Sequence, residues 1–361
     1  MAECLRLAKK GEGFVSPNPL VGAVLVRHNT IVARGYHKRF GGPHAEVECL
    51  GRYLGDLRST TLYVNLEPCS YYGKTPPCID LILELGIPRV VVAMKDPNPR
   101  VSGRGIRALR RHGVEVLSGV REDKARELNR KFVRQMAAQR PYISIKLAQT
   151  LDGKIASLNG KLRWISGPQS LKLVHRWRRE YDAVLVGAGT IRADNPLLTV
   201  RNVKGRNPDA IILDGGFNIL QSARILRTTN RRRVFVCVDR TVARAKKRKV
   251  QSFTKLGAHV LPCRSTNNMI SLDELLSELY RYNIGSILVE GGSHVFSQFI
   301  NAGMYDEINV FVAPRIMGEG VPSFSPLALG TTHGGAELDR FETRRIGRDV
   351  LIRGLVEHVQ R

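Results

Sequence analysis

The sequence predicts an α/β protein of two domains, and three observations carry that prediction. Short apolar runs, such as Val90 to Met94 and Ile284 to Val289, alternate with segments of helical period along the chain, the pattern of a sheet covered by helices. The chain has 361 residues, about twice the ~150 residues of one ordinary domain. Arg140-Pro141 falls where a helical segment gives way to a new apolar strand. Proline has no N–H and drives the residue before it out of helical geometry, so the boundary is placed there: residues 1–140 and 141–361.

In chain order, residues 1 to about 11 read as a helix, with Leu5 and Ala8 at helical spacing among charges. Val21 to Val26 and Ile31 to Gly35 read as a hairpin about His28-Asn-Thr. A helix from His44 is expected to bury Val47, Leu50 and Leu54, followed by a strand over Thr61 to Leu66, a helix over Ile79 to Leu85 and a strand over Arg89 to Met94. Gly105 to His112, Val114 to Leu117 and Glu122 to Ala138 complete this half as helix, strand and helix. Beyond Pro141, strands are expected at Tyr142 to Ala148, Ala183 to Val186, Ala210 to Leu213, Val234 to Val238, Ser286 to Glu290 and Ile308 to Ala313, with helices between them. That alternation predicts a largely parallel sheet.

No apolar run approaches the ~20 residues that span a bilayer, and the N-terminus lacks the apolar core of a signal peptide, so the default expectation is a cytoplasmic protein without membrane contact. Six cysteines are too sparse for a disulfide framework. Cys4, Cys49, Cys237 and Cys263 have no ligand-like context and are expected to be plain thiols. The net charge of +25, from 57 Lys and Arg against 32 Asp and Glu, attracts polyanions and phosphorylated substrates alike. It keeps a nucleic-acid-directed enzyme in view, although no basic stripe interleaved with aromatic residues supports one. Runs such as Arg231-Arg-Arg and Lys246-Lys-Arg-Lys are expected on exposed helix or loop faces.

The sharpest chemical signal is Pro43-His44-Ala45-Glu46, followed by Glu67-Pro68-Cys69-Ser70 and Pro76-Pro77-Cys78. One imidazole and two thiolates form a three-ligand zinc set, whereas a structural zinc normally takes four protein ligands. Zinc lowers the pKa of a bound water from ~15.7 toward ~7. Glu46, two residues after His44 at a helix start, is placed to carry protons without binding the metal. The general zinc-deaminase signature, H-x-E followed by P-C-x-x-C, is a known pattern. Here eight residues, Ser70 to Pro77, separate the cysteines instead of two.

With that long gap, His44-Ala-Glu, Glu67-Pro-Cys-Ser-Tyr-Tyr-Gly-Lys-Thr-Pro-Pro-Cys78, Asn18-Pro-Leu-Val-Gly22 and Asp96-Pro-Asn-Pro-Arg-Val-Ser-Gly-Arg-Gly105 closely resemble the bifunctional deaminase/reductase of riboflavin biosynthesis. The resemblance runs over essentially the whole chain. It implies a cytidine-deaminase-like three-layer α/β/α domain followed by a dihydrofolate-reductase-like α/β domain, with zinc and NADPH as cofactors. It also implies a pyrimidine ribose phosphate as the small-molecule substrate, a homo-oligomeric assembly, and Asn18, Lys74, Asp96 and Asn98 as the deaminase's substrate-binding residues. Read alone, Asp96-Pro-Asn-Pro is a turn just past a buried strand, the place where open α/β sheets hold ligands.

The C-terminal half has no G-x-G-x-x-G after a strand, which argues against a Rossmann domain. Val184-Leu-Val-Gly187-Ala-Gly189-Thr190 and Ile287-Leu-Val-Glu290-Gly291-Gly292-Ser293 are strands entering glycine turns. Such turns can cradle phosphate or simply reverse the chain. These stretches, with Lys146 to Ile155, Trp164-Ile-Ser and Gly189 to Arg201, resemble the reductase half of the same family. The resemblance implies that Ala148, Trp164, Thr190, Asp194, Gly292, Ser293, His294, Val295 and Phe296 line the cofactor site, and that Lys146, Leu162, Arg178, Leu198, Arg201 and Glu290 line the substrate site. Arg178 and Arg201 suit a phosphate as bidentate donors, while the run Arg176-Trp-Arg-Arg also reads as a solvated helix face. The chain departs from the family at Gly215-Gly216, where a hydroxyl residue is common. Two alternatives are a nucleic-acid-directed zinc deaminase with a C-terminal binding domain, and a zinc-stabilised scaffold whose sites no longer turn over.

Overall fold

A computed structural model describes residues 1–72, 76–99, 101–158, 164–267, 269–325 and 337–356. The chain forms two compact units, Met1–Arg140 and Pro141–Arg361.

In the first unit, β1 (Gly22–Arg27) and β2 (Thr30–Tyr36) form a hairpin. Its two-residue turn holds His28 and Asn29 at φ 46° and 62°, both left-handed as the twist of a tight hairpin requires. With β3 (Thr60–Leu66), β4 (Arg89–Met94) and β5 (Glu115–Ser118) they build a sheet of order β2-β1-β3-β4-β5, parallel from β3 to β5. The alternating side chains divide between two helical layers. Ala23, Leu25, Leu62, Val64, Val90 and Val92 pack on α2 (Ala45–Leu50), α3 (Cys78–Glu84) and α4 (Arg104–Arg111). On the other face lie α1 (Ala2–Ala8), α5 (Glu122–Leu128) and α6 (Arg130–Ala138). The result is the expected three-layer unit.

Two details differ from expectation. Helix α2 stops at Leu50, so Leu54 is fully exposed and Val47 is exposed too, and the buried face is instead Ala45, Glu46, Cys49 and Leu50. Gly35 explains this face. A Cβ there would lie 2.4 Å from both the Ala45 carbonyl and the Cys49 nitrogen, so the helix backbone rests directly on β2 and only small side chains fit between. The single helix expected over Glu122 to Ala138 is broken at Asn129, whose buried amide accepts from the Leu20 N–H at 2.8 Å and donates to the Leu20 carbonyl at 3.0 Å. Two satisfied buried polar groups outweigh one uninterrupted helix.

In the second unit, β6 (Tyr142–Gln149), β7 (Lys154–Ala156), α7 (Pro168–Glu180), β8 (Ala183–Gly187), α8 (Ala188–Asp194), β9 (Asp209–Leu213), β10 (Val234–Asp239), α9 (Arg240–Ala245), α10 (Lys247–Lys255) and β11 (His259–Cys263) come first. They are followed by β12 (Ser265–Thr266), β13 (Met269–Ile270), α11 (Leu272–Arg281), β14 (Ser286–Gly291), α12 (Ser293–Asn301), β15 (Glu307–Val312), β16 (Val321–Pro322), β17 (Arg340–Ile346) and β18 (Asp349–Leu355). The large sheet runs β11-β10-β9-β8-β14-β6-β15-β18-β17. Its strands are parallel as far as β15, and the terminal pair is antiparallel. Ile143, Ile145, Leu185, Ile211, Phe235, Ile287 and Val289 face α11 and α12, while Val184, Val186, Ile212, Val236 and Val238 face α8, α9 and α10. Helix-covered parallel strands read as continuous apolar runs, and these do. No helix among the described residues is long and apolar enough to cross a membrane.

The basic runs depart from expectation. Lys246, Lys247 and Arg248 are exposed, but Arg232 is 7% exposed and donates to three main-chain carbonyls, and Arg233 pairs with Asp209 at 2.6 Å.

Candidate active sites

The first centre forms where two helices begin. His44 immediately precedes α2, Cys78 opens α3, and Cys69 lies just beyond β3. His44 Nδ1 is 3.2 Å from Cys78 Sγ and 3.5 Å from Cys69 Sγ, and the three donor atoms lie within 4.8 Å of one another. No fourth His, Cys, Asp or Glu among the described residues joins this group. One nitrogen and two sulfurs at that spacing fit zinc with one position left open. The eight-residue insertion therefore does not prevent the cysteines from converging. The Cys69 thiol is held well below its usual range, first by the hydrogen bond from the Cys78 thiol, then by His44 and the Cys78 main-chain N–H at 3.2 Å. Of the two sulfurs, Cys69 is the readier to lose its proton. Glu46 is buried, and burial first, with the Cys69 charge second, pushes its carboxyl up to about 7.

Around these groups lie three of the four expected substrate residues. Asn18 Nδ2 is 3.1 Å from His37 Nε2, and His37 Nδ1 is 2.8 Å from the Pro43 carbonyl. That carbonyl requires the His37 proton on Nδ1, so Nε2 accepts from the Asn18 amide and fixes which way it faces. Asp96 Oδ1 accepts from the Asn98 N–H at 2.8 Å, and burial pushes the Asp96 carboxyl up to about 6. Lys74 lies outside the described residues. Sequence reasoning missed His37 and the use of Glu67. The buried Glu67 carboxylate accepts from the N–H groups of Asp96 at 3.1 Å, Gly103 at 2.8 Å and Ile106 at 3.2 Å. It ties the Asp96 loop to the strand end that carries Cys69. Gly105 completes the joint, since a Cβ there would lie 2.2 Å from the Pro68 carbonyl. An acid at the end of an apolar strand, directly before Pro-Cys, was the available signal.

The second centre gathers at the C-terminal ends of β6, β8 and β14. Arg178 on α7 donates to Glu290 through Nε at 2.6 Å and Nη2 at 2.7 Å, and through Nη1 to the Thr199 carbonyl at 3.2 Å. Both side chains of this pair are largely buried. Arg178 is thus not on a solvated face, and the fork expected to meet a phosphate is taken up by Glu290. Arg201 remains exposed. Burial pushes the Glu290 carboxyl up, but the Arg178 charge, its two hydrogen bonds and Lys146 together hold it below its ordinary value. The Lys146 ammonium, on β6, lies 6.0 Å from the Phe311 ring centroid, and burial outweighs Glu290 in lowering its pKa. Leu198 is buried and Leu162 lies outside the described residues.

Of the expected cofactor residues, Gly292 and Ser293 stand at the start of α12, and a Cβ on Gly292 would meet Thr190 Oγ1 at 3.4 Å. Ser293 Oγ is buried without a hydrogen-bond partner, a polar atom that a bound phosphate or ribose would satisfy. Gly187 gives α12 its close approach to β8, since a Cβ there would lie 2.8 Å from Val295. Val295 and Phe296 point into the core and their N–H groups bind the Gly292 carbonyl, so neither supplies a polar contact. Ala148 is half-buried on β6, while His294, Asp194 and Trp164 are exposed.

Residues 1–94 match the cytidine and deoxycytidylate deaminase zinc-binding region, and residues 141–352 match the RibD C-terminal domain. Riboflavin biosynthesis protein RibD of Aquifex aeolicus is 42% identical over 98% of this chain and 96% of its own, and that of Escherichia coli 33% identical over 98% and 97%. Among solved structures, the diaminohydroxyphosphoribosylaminopyrimidine deaminase/5-amino-6-(5-phosphoribosylamino)uracil reductase of Thermotoga maritima superposes with a TM-score of 0.83 at 38% identity. Acinetobacter baumannii RibD superposes at 0.86 and 32%, and each structure covers 98% of this chain and 97% of its own. Because the likeness spans both units, and because the zinc-ligand set and the buried Arg–Glu pair both lie within it, the chain belongs to the RibD family of bifunctional deaminase/reductases of riboflavin biosynthesis.

Proposed function

We propose that residues 1–140 deaminate 2,5-diamino-6-ribosylamino-4(3H)-pyrimidinone 5′-phosphate and that residues 141–361 reduce the ribosyl group of the product to ribityl with NADPH. The observation that carries this reading is the convergence of His44, Cys69 and Cys78, without a fourth ligand among the described residues, beside the buried Glu46. His44, Cys69 and Cys78 would hold zinc, which would supply a Lewis acid to activate the water that attacks the ring carbon bearing the exocyclic amine. Glu46 accepts the water proton and delivers it to the departing amine, so that the C–N bond breaks and ammonia leaves. A carboxyl raised to about 7 exchanges protons readily in both directions near neutral pH. Asn18, Asp96, Asn98 and Lys74 hold the pyrimidine ribose phosphate.

In the second unit Thr190, Gly292 and Ser293 would hold NADPH, which would supply the hydride for the sugar C1. Lys146, Glu290 and Arg201 face the opened sugar and its phosphate, Leu198 contributes its main chain to the same wall, and Arg178 keeps Glu290 ionised and oriented. A homo-oligomer in the cytoplasm, with no nucleic-acid partner, belongs to the same reading and rests on the family resemblance. The test is a two-channel assay on metal-analysed protein, following ammonia release and NADPH oxidation from the one substrate. About one zinc per chain, with oxidation lagging ammonia, is the expected result. Neither signal from folded, zinc-loaded protein would overturn the reading.

A further inference from the structure

The segment from Leu197 to Arg201 has no regular secondary structure, yet each of its five residues is held through its main chain by a side chain from elsewhere. Arg232 donates to the Leu197 carbonyl and, through Nη1 at 3.0 Å, to the Leu198 carbonyl. Arg178 Nη1 donates to the Thr199 carbonyl at 3.2 Å, Asn207 Oδ1 accepts from the Val200 N–H at 2.8 Å, and His175 Nδ1 accepts from the Arg201 N–H at 3.3 Å. Leu198 sits at φ +52°, a left-handed conformation that is strained for a residue with a side chain and persists only where its surroundings impose it.

Arg232 is the largest part of what imposes it. Besides the two loop carbonyls, its guanidinium donates to the Pro208 carbonyl at 2.9 Å and to Thr228 Oγ1 at 3.0 Å. Among the described residues no carboxylate hydrogen-bonds to it, although it is 7% exposed, and the Asp209 charge acts on it only at a distance. Burial, then the Arg178 charge, push it down to about 10, so it stays charged at neutral pH. A buried cation satisfied only by carbonyls and one hydroxyl is a poor device for stability, because its desolvation is not offset by an opposite charge in contact. The planar fork is a good device for fixing several carbonyls in one geometry.

We propose that Arg232 is a positioning residue of the reductase, which holds the strained Leu197–Leu198 turn, with the Leu198 side chain anchored in the core, so that Arg201 meets the pyrimidine ribose phosphate. This rests on the reading above that the segment lines the reductase substrate site. Its range of action is narrow. It sets affinity for the deaminated pyrimidine and leaves NADPH binding, made at Thr190 and Ser293, unaffected.

The experiment uses the full chain with R232K and R232M, and with R231M as an exposed control from the same basic run. Initial rates of NADPH oxidation are measured against the deaminated substrate, NADPH affinity by fluorescence, and amide exchange over residues 197–201 by mass spectrometry. R232K keeps the charge but not the fork, so it is the variant that decides should R232M fail to fold. The expected result is a KM for the pyrimidine raised about tenfold or more, kcat at saturation and NADPH affinity within about twofold, faster exchange over 197–201, and no change in R231M. An unchanged KM in R232K beside wild-type turnover overturns the assignment of Arg232 alone. So does a parallel loss of NADPH affinity, which would mark a general structural role. A wild-type protein that oxidises no NADPH overturns the function reading and the loop's role with it.

Discussion

Glu46 and Glu290 are set one at each centre, and their surroundings push their carboxyls in opposite directions. Glu46 has no lysine or arginine ion-pair partner among the described residues, and burial first, then the Cys69 charge, lifts its carboxyl to about 7, where it can hold or release a proton. Glu290 is largely buried too, but Arg178 grips both of its oxygens at 2.6 and 2.7 Å and its charge holds the carboxyl below its ordinary value. Burial beside a thiol group lifts a carboxyl toward neutral pH, and burial with a forked cation holds it down. The chemistry asked of each unit follows that division, since hydrolysis must move protons whereas hydride transfer needs an oriented field and a positioned sugar.

The strongest test of the comparison removes one site and leaves the other. Cys78→Ser should abolish zinc binding and deamination while reduction of supplied deaminated substrate continues at the wild-type rate. Metal analysis with both assays reads this, and loss of both activities would mean that the units fold as one. Glu46→Gln should retain zinc and lower ammonia release by roughly 10²- to 10⁴-fold, and a normal rate would remove Glu46 as the proton carrier. Arg178→Met should turn Glu290 into a second unpaired buried acid. Breaking such a pair costs about 3–5 kcal/mol, read by denaturant unfolding of the second unit. Adding Glu290→Gln should recover much of that stability without recovering reduction.

The two sites differed as much in how they could be read. His44, Glu46, Cys69 and Cys78 lie within 35 residues of one another and carry residue types that few other roles demand. Arg178 and Glu290 are 112 residues apart, and neither is unusual in its own stretch. Only resemblance to a family joined them, as residues of one substrate site, and the forked guanidinium that suits a phosphate is given by the fold to Glu290. The same limit appears elsewhere. Periodicity placed a stripe on α2 that the close contact at Gly35 reverses, and the run Arg231 to Arg233 looked solvated because the carbonyls that bind Arg232 come from residues 197, 198 and 208. Strand β17 was missed because it is an exposed, charged edge without alternation. Strands buried on both faces were legible throughout, because continuous apolar runs need no partner to be recognised.

The smallest expected effect concerns His175, the neutral member of the second centre. Burial first, then the charges of Arg178 and Arg201, push it down to about 4. Its Nδ1 accepts the Arg201 N–H, so Nε2 carries the one proton and protonation would break the contact. In the unfolded chain a histidine titrates near 6.5. Between the two values the unfolded state binds more protons than the folded state, so stability is fully present above pH ~6.5 and is lost as pH falls toward ~4. Unfolding of the wild type and of His175→Asn at pH 7.5, 6.5, 5.5 and 4.5 isolates this contribution. The wild type's advantage should be constant above ~6.5 and shrink below it, with a slope not exceeding one proton. A difference independent of pH would mean that His175 acts only by its volume, and the segment it holds would then owe its acid-side integrity to Arg232, Arg178 and Asn207.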